Sequence, residues 1–200
     1  MMTMLPGNVW RFIDSNRAVA AVEFAMIMPV LLLMFLGSFD AGNAIIVYTK
    51  VRAATYSLAA ITNQYGDGTN PNYPPISSTI MTAITGATGA ILAPYSSSGT
   101  TVIVSQIKAT SATAAVVSWS YAVNGTALTS GSPFTGLPTN FAAHTCNGTY
   151  PCYAIYAQVS YSFSPMFGAF LTGPITLSDS LYTTPRVSTC VQYSGTPSSC

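Results

Sequence analysis

Few residues in this chain are equipped for acid–base, nucleophilic or metal chemistry, and their positions are informative. Glu23 is a lone carboxylate just inside an apolar run that begins at Val19 and continues to Leu36 without another charge. A charge held in hydrocarbon costs about 2.5–3.5 kcal/mol on insertion scales, so Glu23 needs either water at a helix end or a positive partner. Its chemistry is ion pairing. Asp40 follows between Phe39 and Ala41, with Gly42 and Asn43 beside it, and reads as a carboxylate marking the outer interface of the same run. Ser105-Gln106-Ile107-Lys108 has the Ser-x-x-Lys spacing of some acyl-transfer nucleophiles. That motif should open a helix, whereas here it lies in an alternating, strand-like stretch without its companion motifs. His144 is the single histidine, and Asp67 and Asp179 are the only acidic residues beyond Gln64. A membrane-tethered hydrolase would need more acid–base groups than these, and the chain reads as a non-enzyme.

Cys146, Cys152, Cys190 and Cys200 all lie beyond the apolar run. An even number on one side of such a run points to an oxidising compartment and two disulfides. Three pairings are open. Cys146–Cys152 with Cys190–Cys200 is preferred because both loops are short. With no Cys-x-x-Cys and one histidine, neither a metal site nor a cofactor is expected. Asn124-Gly125-Thr126 and Asn147-Gly148-Thr149 fit the glycosylation sequon but read as turns.

The element that must position Glu23 is a long helix. Val19 to Leu36 alone nearly crosses a hydrocarbon core, since roughly 20 apolar residues at about 1.5 Å each span about 30 Å. A secretory signal would have a shorter apolar core followed by small residues. Here the small residues precede the core, so the run reads as a retained anchor. Val47, Val51, Ala54, Leu58 and Ile61 recur at three- and four-residue spacing, so the helix should continue to about Asn63. Its first two-thirds would lie in lipid and its last third would be amphipathic. Pro29 should bend it.

Gly66 to Pro75 is a loop, and Ile76 to Leu92 reads as a second helix. From Thr100 the period changes to two. Thr101–Lys108, Ala114–Val123, Tyr153–Phe163, Ile175–Tyr182 and Val187–Tyr193 read as strands, with a Gly/Pro-rich excursion over Thr129–Asn140. In the clearest strand, Tyr153, Ile155, Ala157, Val159, Tyr161 and Phe163 share one face. The expected fold class is α+β: a long N-terminal transmembrane helix extending into a small extracytoplasmic domain with a second helix and an antiparallel sheet. The divisions are 1–18 as a cytoplasmic head or leader, 19–63 as the helix, and 64–200 as the domain. Arg11 and Arg17 balance Lys50 and Arg52 across the span, so orientation rests on the cysteines. They place the C-terminal domain outside the cytoplasm.

Charged residues make up 6% of the chain and the formal net charge is +1, which excludes the basic face that nucleic acid requires. The neutral, hydroxyl-rich remainder has little electrostatic protection against self-association.

The stretch Arg17-Ala18-Val19-Ala20-Ala21-Val22-Glu23-Phe24-Ala25, followed by Pro29-Val30-Leu31-Leu32, Gly37 and Arg52-Ala53-Ala54, resembles the TadE/TadG-like family of pseudopilins. The resemblance covers roughly Arg11 to Ala60, and beyond that only the layout is similar. It implies a bacterial inner-membrane protein, a minor pilin-like component of the tight-adherence (Flp) pilus system. Its implied partners are other pilin-like subunits, the inner-membrane assembly platform and the lipid bilayer. It also implies maturation by a prepilin peptidase between Ala18 and Val19, although Ala18 stands where the family typically has Gly. Glu23 would then be the fifth mature residue, placed to neutralise the new amine of a neighbouring subunit. The alternative in the same setting is an uncleaved single-pass anchor carrying an extracytoplasmic binding domain.

Overall fold

A computed structural model describes residues 16–138, 141, 146–169, 173–194 and 200. Helix α1, Asn16–Thr62, is 47 residues long and continuous through Pro29. Helix α2 is Ser78–Leu92. Four strands follow: β1 Thr100–Ala109, β2 Ala115–Val123, β3 Cys152–Phe163 and β4 Ile175–Thr183. They form one antiparallel sheet in the order β2-β1-β3-β4. The chain is thus α+β, as its change of hydrophobic period predicts.

The inner face of the sheet carries Val102, Val104, Trp119, Ile155, Ala157 and Val159, all buried against the helices. The alternation expected in β3 holds, and the register Val102↔Val159 and Val104↔Ala157 puts like faces together. Helix α1 presents Val47, Val51, Ala54 and Leu58 to this core, the stripe expected from their spacing. Packing begins earlier than the sequence suggests. Asp40 is already buried, so nearly half of α1 rather than a third belongs to the domain. The cause is the β3–β4 loop, which reaches back along the helix to Asp40.

Helix α2 starts two residues later than expected. Ser77 caps it by accepting from the Ile80 N–H at 3.2 Å, and Ile76 is left outside to bridge Tyr193. Lys50 of α1 supplies the other end, donating from Nζ to the carbonyls of Ile91 and Ala93. Helix α2 has no basic residue in its own last turn, so this cation from the neighbouring helix meets both the free carbonyls and the negative end of the dipole.

The segment Val187–Tyr193 is not a strand, which corrects the expectation of a fifth. Its alternation reflects real burial of Val191 and Tyr193, but its backbone bonds go elsewhere. The Val191 N–H donates to Gln106 Oε1 at 2.6 Å, and the Val191 carbonyl accepts from Trp119 Nε1 at 2.7 Å. Gln192 exchanges bonds with Gly66 and Ile76. Side chains and a loop, rather than a strand edge, satisfy this segment.

The excursion after β2 folds back over the outer sheet face. The Phe134 N–H donates to the Ala115 carbonyl at 2.8 Å, and the Val117 N–H donates to the Ser132 carbonyl at 3.0 Å, which covers the exposed edge of β2. Phe134 then packs on Tyr156 and Tyr182 at ring separations of 5.5 and 6.3 Å. Disulfides join Cys146 to Cys152 and Cys190 to Cys200, with Cα separations of 5.5 and 5.8 Å.

Candidate functional site

The N-terminal half of α1 is apolar on every side. Leu31, Leu32, Leu33 and Met34 are consecutive and 49–69% exposed, and four consecutive helical positions point all round the axis. A helix apolar all round belongs in lipid or among other helices. By length and composition this helix is able to cross a membrane as a single-pass anchor.

Glu23 lies on this apolar surface, exposed, and no residue of the described chain pairs with it. The Ala18–Val19 bond falls in the first turn of α1. The side chains of Arg17 and Ala18 and the whole head 1–15 lie outside the described residues. Glu23 is therefore a lone carboxylate on an apolar helix surface, with no counter-charge among the described residues.

Asp40 does more than mark an interface. It is 8% exposed, and its two carboxylate oxygens accept three backbone N–H bonds: from Met166 at 3.0 Å, Phe167 at 2.9 Å and Gly168 at 2.6 Å. Charge-assisted bonds of this kind are about twice as strong as neutral ones. Phe39, one residue earlier, meets Phe167 edge-to-face at 5.8 Å. The clamp thus ties the β3–β4 loop to the point where α1 leaves its exposed half. No sequence pattern points to this pairing, because the partners are more than a hundred residues apart and donate through their backbones.

The remaining candidates do not assemble. Ser105 and Lys108 are three apart on β1 and so face opposite sides of the sheet. Ser105 donates to Ser120 Oγ at 2.7 Å on the outer face, while the Lys108 ammonium lies 5.8 Å from the Tyr153 ring centre. A cavity of about 530 Å³ between the β1–β2 hairpin and the Phe134 loop is lined by Ser111, Thr113, Ala115, Phe134 and Leu137, and by neither Ser105 nor Lys108. A second, of about 300 Å³, lies between α2 and the sheet beside Thr85, Thr88 and Tyr121, again without either residue. His144 lies outside the described residues. Among the described residues, no group of three His, Cys, Asp or Glu side chains is placed to hold a metal ion.

The chain finds no match among curated proteins or solved structures. Its first sixty residues are different: residues 18–59, which take in the exposed stretch of α1 from Val19, Glu23, Asp40 and most of the buried stripe, match the model of the family described as TadE-like protein.

Proposed function

We propose that this protein is a membrane-anchored, pilin-like structural component of a tight-adherence pilus system, working through α1 rather than through a catalytic site. The family match over residues 18–59 carries the reading, because it takes in the whole apolar stretch that the domain leaves bare together with the stripe that the domain packs on. The bare half of α1 crosses the inner membrane and packs beside the helices of other pilin-like subunits. The domain, with its two disulfides, stands outside the cytoplasm. A prepilin peptidase cuts between Ala18 and Val19, and Glu23 then neutralises the new amine of a neighbouring subunit. An amine partner would supply the counter-charge that Glu23 lacks within the described chain.

The test is Glu23→Gln. Membrane insertion should be unimpaired, because the substitution removes a charge from lipid. Co-purification with other pilin-like subunits should fall by roughly tenfold, the consequence of losing about 1.4 kcal/mol of pairing. Glu23→Ala should behave alike. Unchanged partner recovery in both variants would overturn the pairing. N-terminal sequencing of the membrane-extracted protein decides between Val19 as the mature first residue and the uncleaved anchor.

A further inference from the structure

Among the described residues of the β3–β4 loop, the two largest apolar side chains point outward. Met166 is 75% exposed and Phe167 is 43% exposed, while Phe163 and Pro165, just before them, are buried. Large apolar side chains on a water-facing loop would be left unpaired with anything, yet the structure holds these two firmly. Asp40 accepts the backbone N–H groups of Met166, Phe167 and Gly168, which fixes the loop backbone and turns the side chains away from the domain core.

The place where they are held is specific. At about 1.5 Å per residue, Val19 to Phe39 spans about 30 Å, the thickness of a hydrocarbon core. Phe39 is therefore the last residue of the bare half of α1, and it is 50% exposed. Its ring touches that of Phe167. The apolar surface of the helix thus runs without a break onto the loop at the depth where hydrocarbon gives way to headgroups.

We propose that the β3–β4 loop is a second membrane contact, with Met166 and Phe167 seated among the upper acyl chains of the leaflet on the domain side. This rests on the reading of α1 as the membrane span. The occupant is the phospholipid bilayer itself, because the loop surface continues the lipid-facing surface of the helix and carries no charged side chain from Ser164 to Ala169. Aromatic and long apolar side chains at this depth are typical interfacial anchors. The contact would set the height and lean of the domain over the bilayer, which a single helix cannot do.

Full-length protein reconstituted in phosphatidylcholine–phosphatidylglycerol vesicles tests this by tryptophan quenching with lipids brominated either high or low on the acyl chain. Every variant carries Trp10→Phe, and the emission of that parent, from buried Trp119, is subtracted. Phe167→Trp reports the loop, Phe35→Trp the span, and Thr113→Trp the far β1–β2 hairpin. The expected result is about a twofold loss of emission from Phe167→Trp with the high bromines, as for a side chain roughly 5–10 Å into the interface. Phe35→Trp, about 6 Å deeper than Phe39, should respond to both sets of bromines and Thr113→Trp to neither. Quenching of Phe35→Trp with none of Phe167→Trp, whose emission matches that of Thr113→Trp, overturns the loop contact and leaves the span intact. Blue-shifted but unquenched emission from Phe167→Trp means that protein, such as a second copy, covers the loop, and it also overturns the proposal. No quenching of Phe35→Trp overturns the span reading and the loop contact with it.

Discussion

Asp40 accepts from three part-buried backbone N–H groups with one side chain, so its removal takes that acceptor from all three at once. Hydrogen bonds to charged groups contribute about 1.5–3 kcal/mol each, but their losses overlap when they share one carboxylate. Asp40→Ala should therefore destabilise the domain by about 2–4 kcal/mol, and Asp40→Asn, which keeps one acceptor oxygen, by less. Denaturant unfolding in detergent, followed through Trp119, measures both. A second residue-level consequence concerns the outer-face tyrosines. Burial, and then the neighbouring Tyr156, push the Tyr182 phenol up to about 12, and burial raises Tyr156 as well. A phenol whose folded pKa exceeds its unfolded value keeps its proton longer in the folded state. Its contribution is complete below about pH 10 and is lost as the pH climbs toward the folded value. Stability should fall between pH 10 and about 12, and Tyr182→Phe should flatten that fall. Phenolate absorbance and unfolding midpoints across this window check it.

At the scale of elements, two glycines with opposite surroundings separate packing from propensity. A Cβ on Gly66 would lie 2.9 Å from both the Cβ and the carbonyl oxygen of Tyr73, where the loop before α2 folds tightly against the end of α1. Gly66→Ala should cost about 1–3 kcal/mol. A Cβ on Gly86, inside α2, meets nothing within 4 Å. Gly86→Ala should stabilise by about 0.8–1 kcal/mol through helix propensity alone. Thermal unfolding of the two variants should shift in opposite directions. The same contrast explains what was legible in the sequence. Helix α1 and strands β1 to β4 announce themselves because each element's period is written in its own residues. The segment Val187–Tyr193 misleads because it has a strand's alternation while Gln106 and Trp119, from other elements, take its backbone bonds. The bare apolar half of the helix was legible together with the position of Glu23 on it, since a charge in an apolar run is a local signal. The Asp40 clamp was not, since a carboxylate beside glycine and asparagine looks the same whether it faces water or a distant loop.

The whole molecule is closed at its far end by covalent ties. Cys190–Cys200 fastens the segment that passes between the Gly66 loop and the inner sheet face, where Val191 bonds to Gln106 and Trp119. By loop entropy this link contributes about 2–3 kcal/mol. Replacing Cys190 and Cys200 with serine should lower the unfolding midpoint accordingly and shift Trp119 emission to longer wavelength, because the indole N–H loses its fixed acceptor. At the near end there is no hinge. The Asp40 clamp, the stripe from Val47 to Leu58 and the Lys50 cap fasten the domain directly to the side of α1, with no linker between span and fold. The two halves of the helix therefore share one rotational phase. Each residue added between Glu23 and Asp40 turns the domain by about 100° and lifts it by about 1.5 Å relative to Glu23. The direction in which the sheet faces is thus indexed to the direction in which Glu23 faces on the bare half of the helix. Any rotation imposed on the bare half of the helix becomes an equal rotation of the surface that the domain presents.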